Sequence, residues 1–341
     1  MIDIDALGVP VWLPSLPPTA ATLVSPNLQP LPVIPVIGVA LAIWYIAAFV
    51  TVRRAGKRWP LMRAISFIAG CGLLVFVTGS AIEGYGFVLN SVFMFQQLTM
   101  MMVIPVFLVL GSPGRLLLRV PMRGRLSRIA RAAALRGLRS RWAKVVLHPG
   151  LLLPVYLVSF YGVYLAGLGT ALVATWAGHL ALELYFLGAG ILITIPIASA
   201  DLLPSKQSPV AKLLSVLAEV PLHATFGVIV MLSTSPLLIT AFVPPSEWGI
   251  DPLNDLRVAG ALAWTYGELP ALIVVVVMLS RWERDDTRRA RAADRKKDQV
   301  GDIELETYNA YLQGLSRRPA APPLLREENN PATTTTHKEK D

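Results

Sequence analysis

The chain has 341 residues, 54% of them hydrophobic and only 16% charged, with a mean hydropathy of +0.55. Soluble domains carry about 25% charged residues, so this composition excludes an ordinary globular protein. The single cysteine, Cys71, excludes a disulfide scaffold and cysteine-cluster metal sites, and the net charge of +9 points to nucleic acid only if the basic residues share a face, which their positions deny.

Residues 1–30 are rich in proline (Pro10, Pro14, Pro17, Pro18, Pro26, Pro30) and begin with Asp3 and Asp5 rather than Lys or Arg, unlike the start of a signal peptide. An extended segment is expected, with Trp12 at a membrane interface. Apolar runs of the length a helix needs to cross a bilayer follow at roughly 31–52, 61–82, 87–111, 150–169, 172–199, 213–242 and 259–280. Only Ala166-Gly167-Leu168-Gly169-Thr170 separates the fourth from the fifth. The expected fold is all-α: a polytopic membrane protein, a bundle of seven transmembrane helices over 31–281. In the charged tail 282–341, Glu283–Lys297 continues the last helix and Asp302–Leu315 forms a short amphipathic one. From about 317, Pro-Ala-Ala-Pro-Pro and Thr333–Thr336 read as disorder.

Orientation follows from Lys and Arg. With the N-terminus outside and the C-terminus inside, segments 53–60, 112–149, 200–212 and 281–341 are cytoplasmic. Every basic residue then lies inside or, as Arg63, at the inner boundary, except Arg257. The loop from Arg115 to Lys144 holds ten basic residues and no acidic ones; lying on anionic lipid explains it without nucleic acid. The plasma membrane is the expected location.

Ionisable groups in hydrocarbon cost several kcal/mol unless paired or hydrated, which singles out a few residues. Span five carries His179 and Glu183 one turn apart on one face; span six carries Glu219 and His223, again four apart. Span seven has Glu268, and span three has Gln96 and Gln97 followed by Met100, Met101 and Met102. At a helix rise of about 1.5 Å per residue, Gln97, His223, Glu268 and Glu183 lie about 16–24 Å above the inner boundary and His179 about 30 Å. If their faces converge, they line one polar path opening outward. Each also has a plainer role. His179 can sit among headgroups, His223 can be a hydrogen-bonded neutral core imidazole, and Glu219 can reach the inner interface. Glu183 and Glu268 can join helices as protonated carboxyls, and the methionines can fill core. Imidazole and thioether suit copper foremost, and carboxylates can take up the protons that binding releases. No nucleophile–base system, hydrolytic carboxylate pair or nucleotide-binding glycine loop has a supporting context, so no enzyme is expected.

Several stretches, in order, resemble one family. They are Arg53-Arg-Ala-Gly-Lys-Arg-Trp-Pro60, Gly84-Tyr-Gly86, Ser91-Val-Phe-Met-Phe-Gln-Gln97 and Leu110-Gly-Ser-Pro-Gly-Arg-Leu-Leu-Leu-Arg119. Further on come Gly178-His179 with Glu183, Pro221-Leu-His-Ala224, Trp248-Gly-Ile-Asp-Pro252 and Gly267-Glu-Leu-Pro270. Over about residues 15–318 the chain is similar to the membrane-integral cytochrome c oxidase assembly proteins called CtaG, of the caa-oxidase type, in their actinobacterial form. The resemblance implies a seven-helix protein that assists oxidase assembly, by copper delivery or insertion on the outer side of the membrane. Oxidase subunits or copper chaperones would be its partners. His179 and His223 match family histidines, with Glu183 and Glu268 near them, and are the candidate copper ligands; Met94 and Met101 are weaker ones, and Glu219 and Gln97 supporting polar groups. One departure stands out. Many relatives read His-Met-x-x-His in span three, where this chain has Phe93-Met94-Phe95-Gln96-Gln97. Phenylalanine cannot ligate a metal and a glutamine amide is a poor ligand for copper(I). Two other functions therefore stay open: a metal-independent scaffold for oxidase subunits, and a copper transport or resistance permease.

Overall fold

Prolines and glycines decide where the apolar runs start, bend and stop. The computed structural model describes residues 11–121, 149–173, 175–198, 209–234, 243–300 and 303–317, with parts of 128–148. Among the described residues every regular element is helical, and one isolated β-bridge joins Pro26 to Ser80. The chain forms two compact units, Met1–Trp282 and Glu283–Asp341.

Helix α1 (Val33–Arg54) closes with Arg53 and Arg54 in its last turn, where cations complement the helix dipole. Its end is a Schellman turn: Lys57 N–H reaches Val52 O, Gly56 N–H reaches Arg53 O, and Gly56 takes φ +73°. Helix α2 (Leu61–Gly79) starts directly after Pro60 and packs on α1. A Cβ on Gly38 would stand 2.8 Å from Val75 Cγ2, so a larger residue would hold the two helices apart. The short α3 (Ile82–Gly86) turns the chain back, and α4 (Asn90–Leu98) begins the next crossing. Asp255 fixes that start: its carboxylate accepts from Asn90 N–H at 2.6 Å and Ser91 N–H at 3.3 Å, and from the Ser91 hydroxyl. Burial pushes the Asp255 carboxyl up, against the pull of these bonds.

The crossing continues through a π-helical turn, Thr99–Val103, into α5 (Ile104–Leu110) and, after Ser112 at φ 52°, α6 (Pro113–Arg119). Pro105 has no N–H to offer Met101 O, which accounts for the irregular turn. Helix α9 presses into that gap: a Cβ on Gly190 would lie 2.1 Å from Met101 O. Helix α7 (Pro149–Leu157) carries Pro154 and also passes into a π turn, Val158–Gly162. After Gly167 at φ +74° come α8 (Leu168–Val173) and α9 (Trp176–Ala198). The rest are α10 (Pro209–Met231), α11 (Pro252–Val300) and, in the second unit, α12 (Ile303–Ser316), whose described side chains are exposed.

Among the described residues four helices are long and apolar enough to cross a membrane: Val33–Arg54, Leu61–Gly79, Asn90–Arg119 and Trp176–Ile197. They are the first, second, third and fifth of the expected spans. The fourth and sixth correspond to shorter apolar helices, Gly150–Gly162 and Val220–Met231, and the seventh lies within α11. Residues 1–10, 199–208, 235–242 and 318–341 fall outside the described residues, and with them the beginning of the Pro-rich start, most of the 200–212 loop and the end of the tail.

The two basic motifs at 53–60 and 110–119 turn out to be halves of one clasp. Tyr45 stacks on Phe67 at 4.2 Å, donates its hydroxyl to Gly111 O at 2.8 Å and accepts from Trp59 Nε1 at 3.2 Å. The Arg63 and Arg119 guanidinium carbons sit 5.4 and 5.3 Å from the Trp59 ring centroid, within cation–π range. Arg119 Nη1 donates to Arg58 O, and Lys57 Nζ donates to Arg119 O.

Candidate functional site

Opposite termini of several helices gather around one buried cluster: the C-terminal end of α2, all of α3, and the first turns of α1, α4 and α9. Thr175 Oγ1 accepts from Gly178 N–H and so starts α9, placing His179 in its first turn and Glu183 one turn on. Facing them are Glu83 of α3 and Gln96 of α4. His179 Nε2 lies 3.8 Å from Glu83 Oε1 and 3.9 Å from Glu183 Oε1. Gln96 Nε2 donates to Glu83 Oε2 at 2.7 Å and approaches Glu183 Oε1 at 3.5 Å. All four side chains are buried, and neither ring nitrogen of His179 has a hydrogen-bond partner among the described residues. Burial pushes the Glu83 carboxyl up to about 7, against the pull of its Glu183 and Gln96 partners.

Local sequence explains the geometry. The Gly84-Tyr-Gly86 motif makes room on both sides of α3: a Cβ on Gly84 would be 2.4 Å from the Trp12 ring, and one on Gly86 would be 2.0 Å from Gln96 Oε1. Phe87 stacks on the His179 ring at 3.9 Å and 21°, and Phe93 lies 5.5 Å from it. The segment before α1, expected to be extended, includes the short helix Ala20–Leu23 capped by Thr19 and lies over the cluster. Trp12 N–H donates to Gln29 Oε1 at 2.9 Å, Gln29 Nε2 returns a bond to Trp12 O at 3.1 Å, and Tyr85 hydroxyl holds Leu16 O at 2.8 Å. A pocket enclosing about 300 Å³ of empty space, mouth included, has Glu83, His179 and Glu183 in its lining and the exposed Leu31 and Val33 at its rim.

The other expected residues lie elsewhere. Gln97 donates to Ser159 O at 2.9 Å and accepts from the Tyr164 hydroxyl at 2.6 Å. Met94 Sδ is 3.8 Å from that same hydroxyl. Met101 is core, packed beside Gly190. His223 is buried against Phe160 (centroids 4.9 Å apart) and Tyr156 (6.4 Å), with its Cε1 on Gly267. Glu268 is half-buried and belongs to none of these clusters; the Glu219 side chain lies outside the described residues. The single polar path expected from the sequence is thus divided. An aromatic series of Phe93, Tyr164, Phe226 and Phe160, with successive centroids 5.2–6.3 Å apart, runs between His179 and His223.

Two residues escaped the sequence reading. Glu83 carries a signal that was there to find: it is the sole acidic residue between Asp5 and Glu183, and an isolated acid beside an apolar span is costly without a partner. Asp255 has no comparable signal, since its partners are backbone N–H groups 164 and 165 positions away.

These features define a class, an all-helical protein with several helices long and apolar enough to cross a membrane and a buried imidazole–carboxylate cluster at their ends. Residues 43–285 match the family described as cytochrome c oxidase caa3 assembly factor (Caa3_CtaG), and the chain belongs to that family. It is 36% identical over 288 residues to Uncharacterized protein Mb0105 of Mycobacterium bovis and to Uncharacterized protein MT0111 of Mycobacterium tuberculosis. Identity to Uncharacterized protein ML1998 of Mycobacterium leprae is 34% over 293 residues. Each match takes in 82% of this chain but 43% of the relative, so the chain spans less than half the length of these curated relatives. No solved structure matches it.

Proposed function

We propose that this protein assists the assembly of a cytochrome c oxidase by delivering or inserting copper at the outer side of the plasma membrane, as a seven-helix bundle with its N-terminus outside and its C-terminus inside. The observation that carries this reading is the family match over 43–285. The distribution of Lys and Arg supports the orientation: it puts the Trp59 clasp on the cytoplasmic side and the His179 cluster near the outer surface, where an extracellular copper centre would be loaded. Copper is cargo here, with His179 its ligand near the outer surface; His223, Met94 and Met101, the other candidates from the sequence, are packed apart from it among aromatic and apolar side chains. Glu183, 3.9 Å from His179, would support it there. Oxidase subunits or copper chaperones are the partners, lipid surrounds the bundle, and the role is not catalytic.

The test follows assembled oxidase. Deleting the gene should lower assembled oxidase, the wild-type chain should restore it, and His179→Ala with His223→Ala should not. Full restoration by the double mutant would remove the histidines from the function. A metal-independent scaffold is the second reading, and one observation favours it. Phe93 occupies the space beside His179 while Gln97 is spent on Tyr164 and Ser159, so neither acts as a copper ligand. Capture of oxidase subunits by the double mutant, with normal assembly, would select that reading. A permease needs ligands through the full depth of the bundle, and the aromatic series between the two histidines argues against one. Protein-dependent copper uptake into sealed vesicles would reverse that judgement.

A further inference from the structure

A buried carboxylate pair is expensive unless something positive shares the site. Among the described residues no Lys or Arg pairs with Glu83 or Glu183; their neighbours are each other, the Gln96 amide and the His179 imidazole. His179, only 1% exposed, directs Nε2 between the two carboxylates yet hydrogen-bonds to neither. One ligand atom from each of Glu83, His179 and Glu183 can be chosen so that all lie within 4.8 Å of one another. Two ligand atoms each about 2.1 Å from a shared ion stand about 3.4 Å apart at a tetrahedral angle. The imidazole–carboxylate separations of 3.8 and 3.9 Å therefore need to close by a few tenths of an ångström, and the carboxylates, within 4.8 Å of one another, by rotation of their side chains.

We propose that Glu83, His179 and Glu183 form a binding site for one divalent transition-metal ion of the copper(II) or zinc(II) class, with Gln96 positioning the carboxylates. Two carboxylates and a dication sum to zero charge, which makes the burial tolerable. One imidazole and two carboxylates are borderline and hard donors; copper(I) prefers sulfur and nitrogen, while calcium and magnesium prefer shells made of oxygen. The nearest thioether candidate, Met94, is engaged with the Tyr164 hydroxyl. Phe87 and Phe93 hold the imidazole plane, and Gly86 gives the Gln96 amide the room it needs to bond Glu83. An ion enters past Leu31 and Val33. The fourth position, left to water or to a ligand of the acceptor, is what a site that passes its ion onward requires. This deepens the copper reading, resting on it only for the identity of the cargo, while the site itself rests on geometry.

The test uses the full chain, purified in detergent and stripped with a chelator. It is titrated with zinc(II), copper(II) and, under reducing conditions, copper(I) held by a competing cuprous chelator. One zinc(II) or copper(II) per chain is expected, with affinity reduced about a hundredfold in His179→Ala and Glu183→Gln and about tenfold in Glu83→Gln. His223→Ala should bind as the wild type. The copper(II) electron paramagnetic spectrum should show coupling to a single nitrogen, absent in His179→Ala. Should His179→Ala fail to fold, the near-isosteric Glu183→Gln carries the test, with thermal unfolding run alongside. Absence of stoichiometric divalent binding, binding unchanged in these variants, or stoichiometric copper(I) uptake that depends on His179 would each overturn the proposal. Metal loss in Glu183→Gln with normal oxidase assembly would keep the site and sink the copper-delivery reading. Stoichiometric copper(I) uptake without divalent binding, in a chain that restores assembly, would do the reverse.

Discussion

His179 and His223 are almost equally buried, at 1% and 2% exposure, and both pack on aromatic rings, yet the polar groups they face differ. His179 faces two carboxyls and an amide; His223 faces Tyr156, Phe160 and the bare face of Gly267. Among the described residues His223 leaves its Nε2 without a hydrogen-bond partner, but no acid faces it. Two buried acids turned toward an unpartnered imidazole need an explanation beyond packing, because each carries a desolvation cost of several kcal/mol that packing does not repay. What an imidazole in a membrane bundle can do is therefore set by the groups it faces rather than by its depth.

The sharpest way to break this contrast is through the glycines beneath each site. A Cβ at residue 267 would fall 1.5 Å from His223 Cε1, whose ring is boxed in by Phe160. Gly267→Ala should cost about 3 kcal/mol of stability. At residue 86 the Cβ meets Gln96 Oε1 at 2.0 Å, the far end of a side chain that can rotate away. Gly86→Ala should cost about 1 kcal/mol while lowering divalent-metal affinity about tenfold, because Gln96 no longer holds Glu83. Thermal unfolding and metal titration of both variants check this. Equal destabilisation would mean that Gln96 is a rigid strut and that the two sites are alike.

The next variant would join the two regions. Phe93 lies 5.5 Å from the His179 ring and 6.3 Å from Tyr164, at the start of the aromatic series. Phe93→His supplies a second nitrogen donor beside His179, and copper(I) affinity should rise about tenfold with divalent binding retained. Chelator competition reads the change, and no gain would show that the cluster geometry excludes a fourth protein ligand.

The chain revealed its helices where apolar length and punctuation agree: Arg53-Arg54 with Gly56 ends α1, and Pro60 starts α2. The pairing of His179 with Glu183 was legible because a four-residue spacing shares a helix face. Glu83 was not read into the site because it comes from another element, 96 positions before His179. The choice between Gln96 and Gln97 failed for a related reason. Adjacent helical residues point about 100° apart, so only one can face the acids, and it is Gln96 that does while Gln97 turns to Tyr164. The two basic motifs looked independent because the clasp joins positions about 60 apart, Arg119 to Arg58 and Lys57, around Trp59 and Tyr45. Whether His179 and His223 face one another was beyond reach, since helix crossing depends on packing.

The smallest expected effect concerns the amide the sequence favoured. Tyr164 donates to Gln97 Oε1 at 2.6 Å inside a fully buried setting. Tyr164→Phe removes the donor and strands a buried acceptor, costing about 1–2 kcal/mol. Gln97→Leu strands the tyrosine hydroxyl at a similar cost, whereas the double variant removes both polar groups and should cost less than the sum of the two. A double-mutant cycle on unfolding measures that coupling, which should reach about 1 kcal/mol. Metal affinity at Glu83, His179 and Glu183 should be unchanged throughout, because no described hydrogen bond links Gln97 to that cluster. A parallel fall in metal affinity would mean that Gln97 acts on the site through its neighbour Gln96, and the two buried regions would then form one network instead of two.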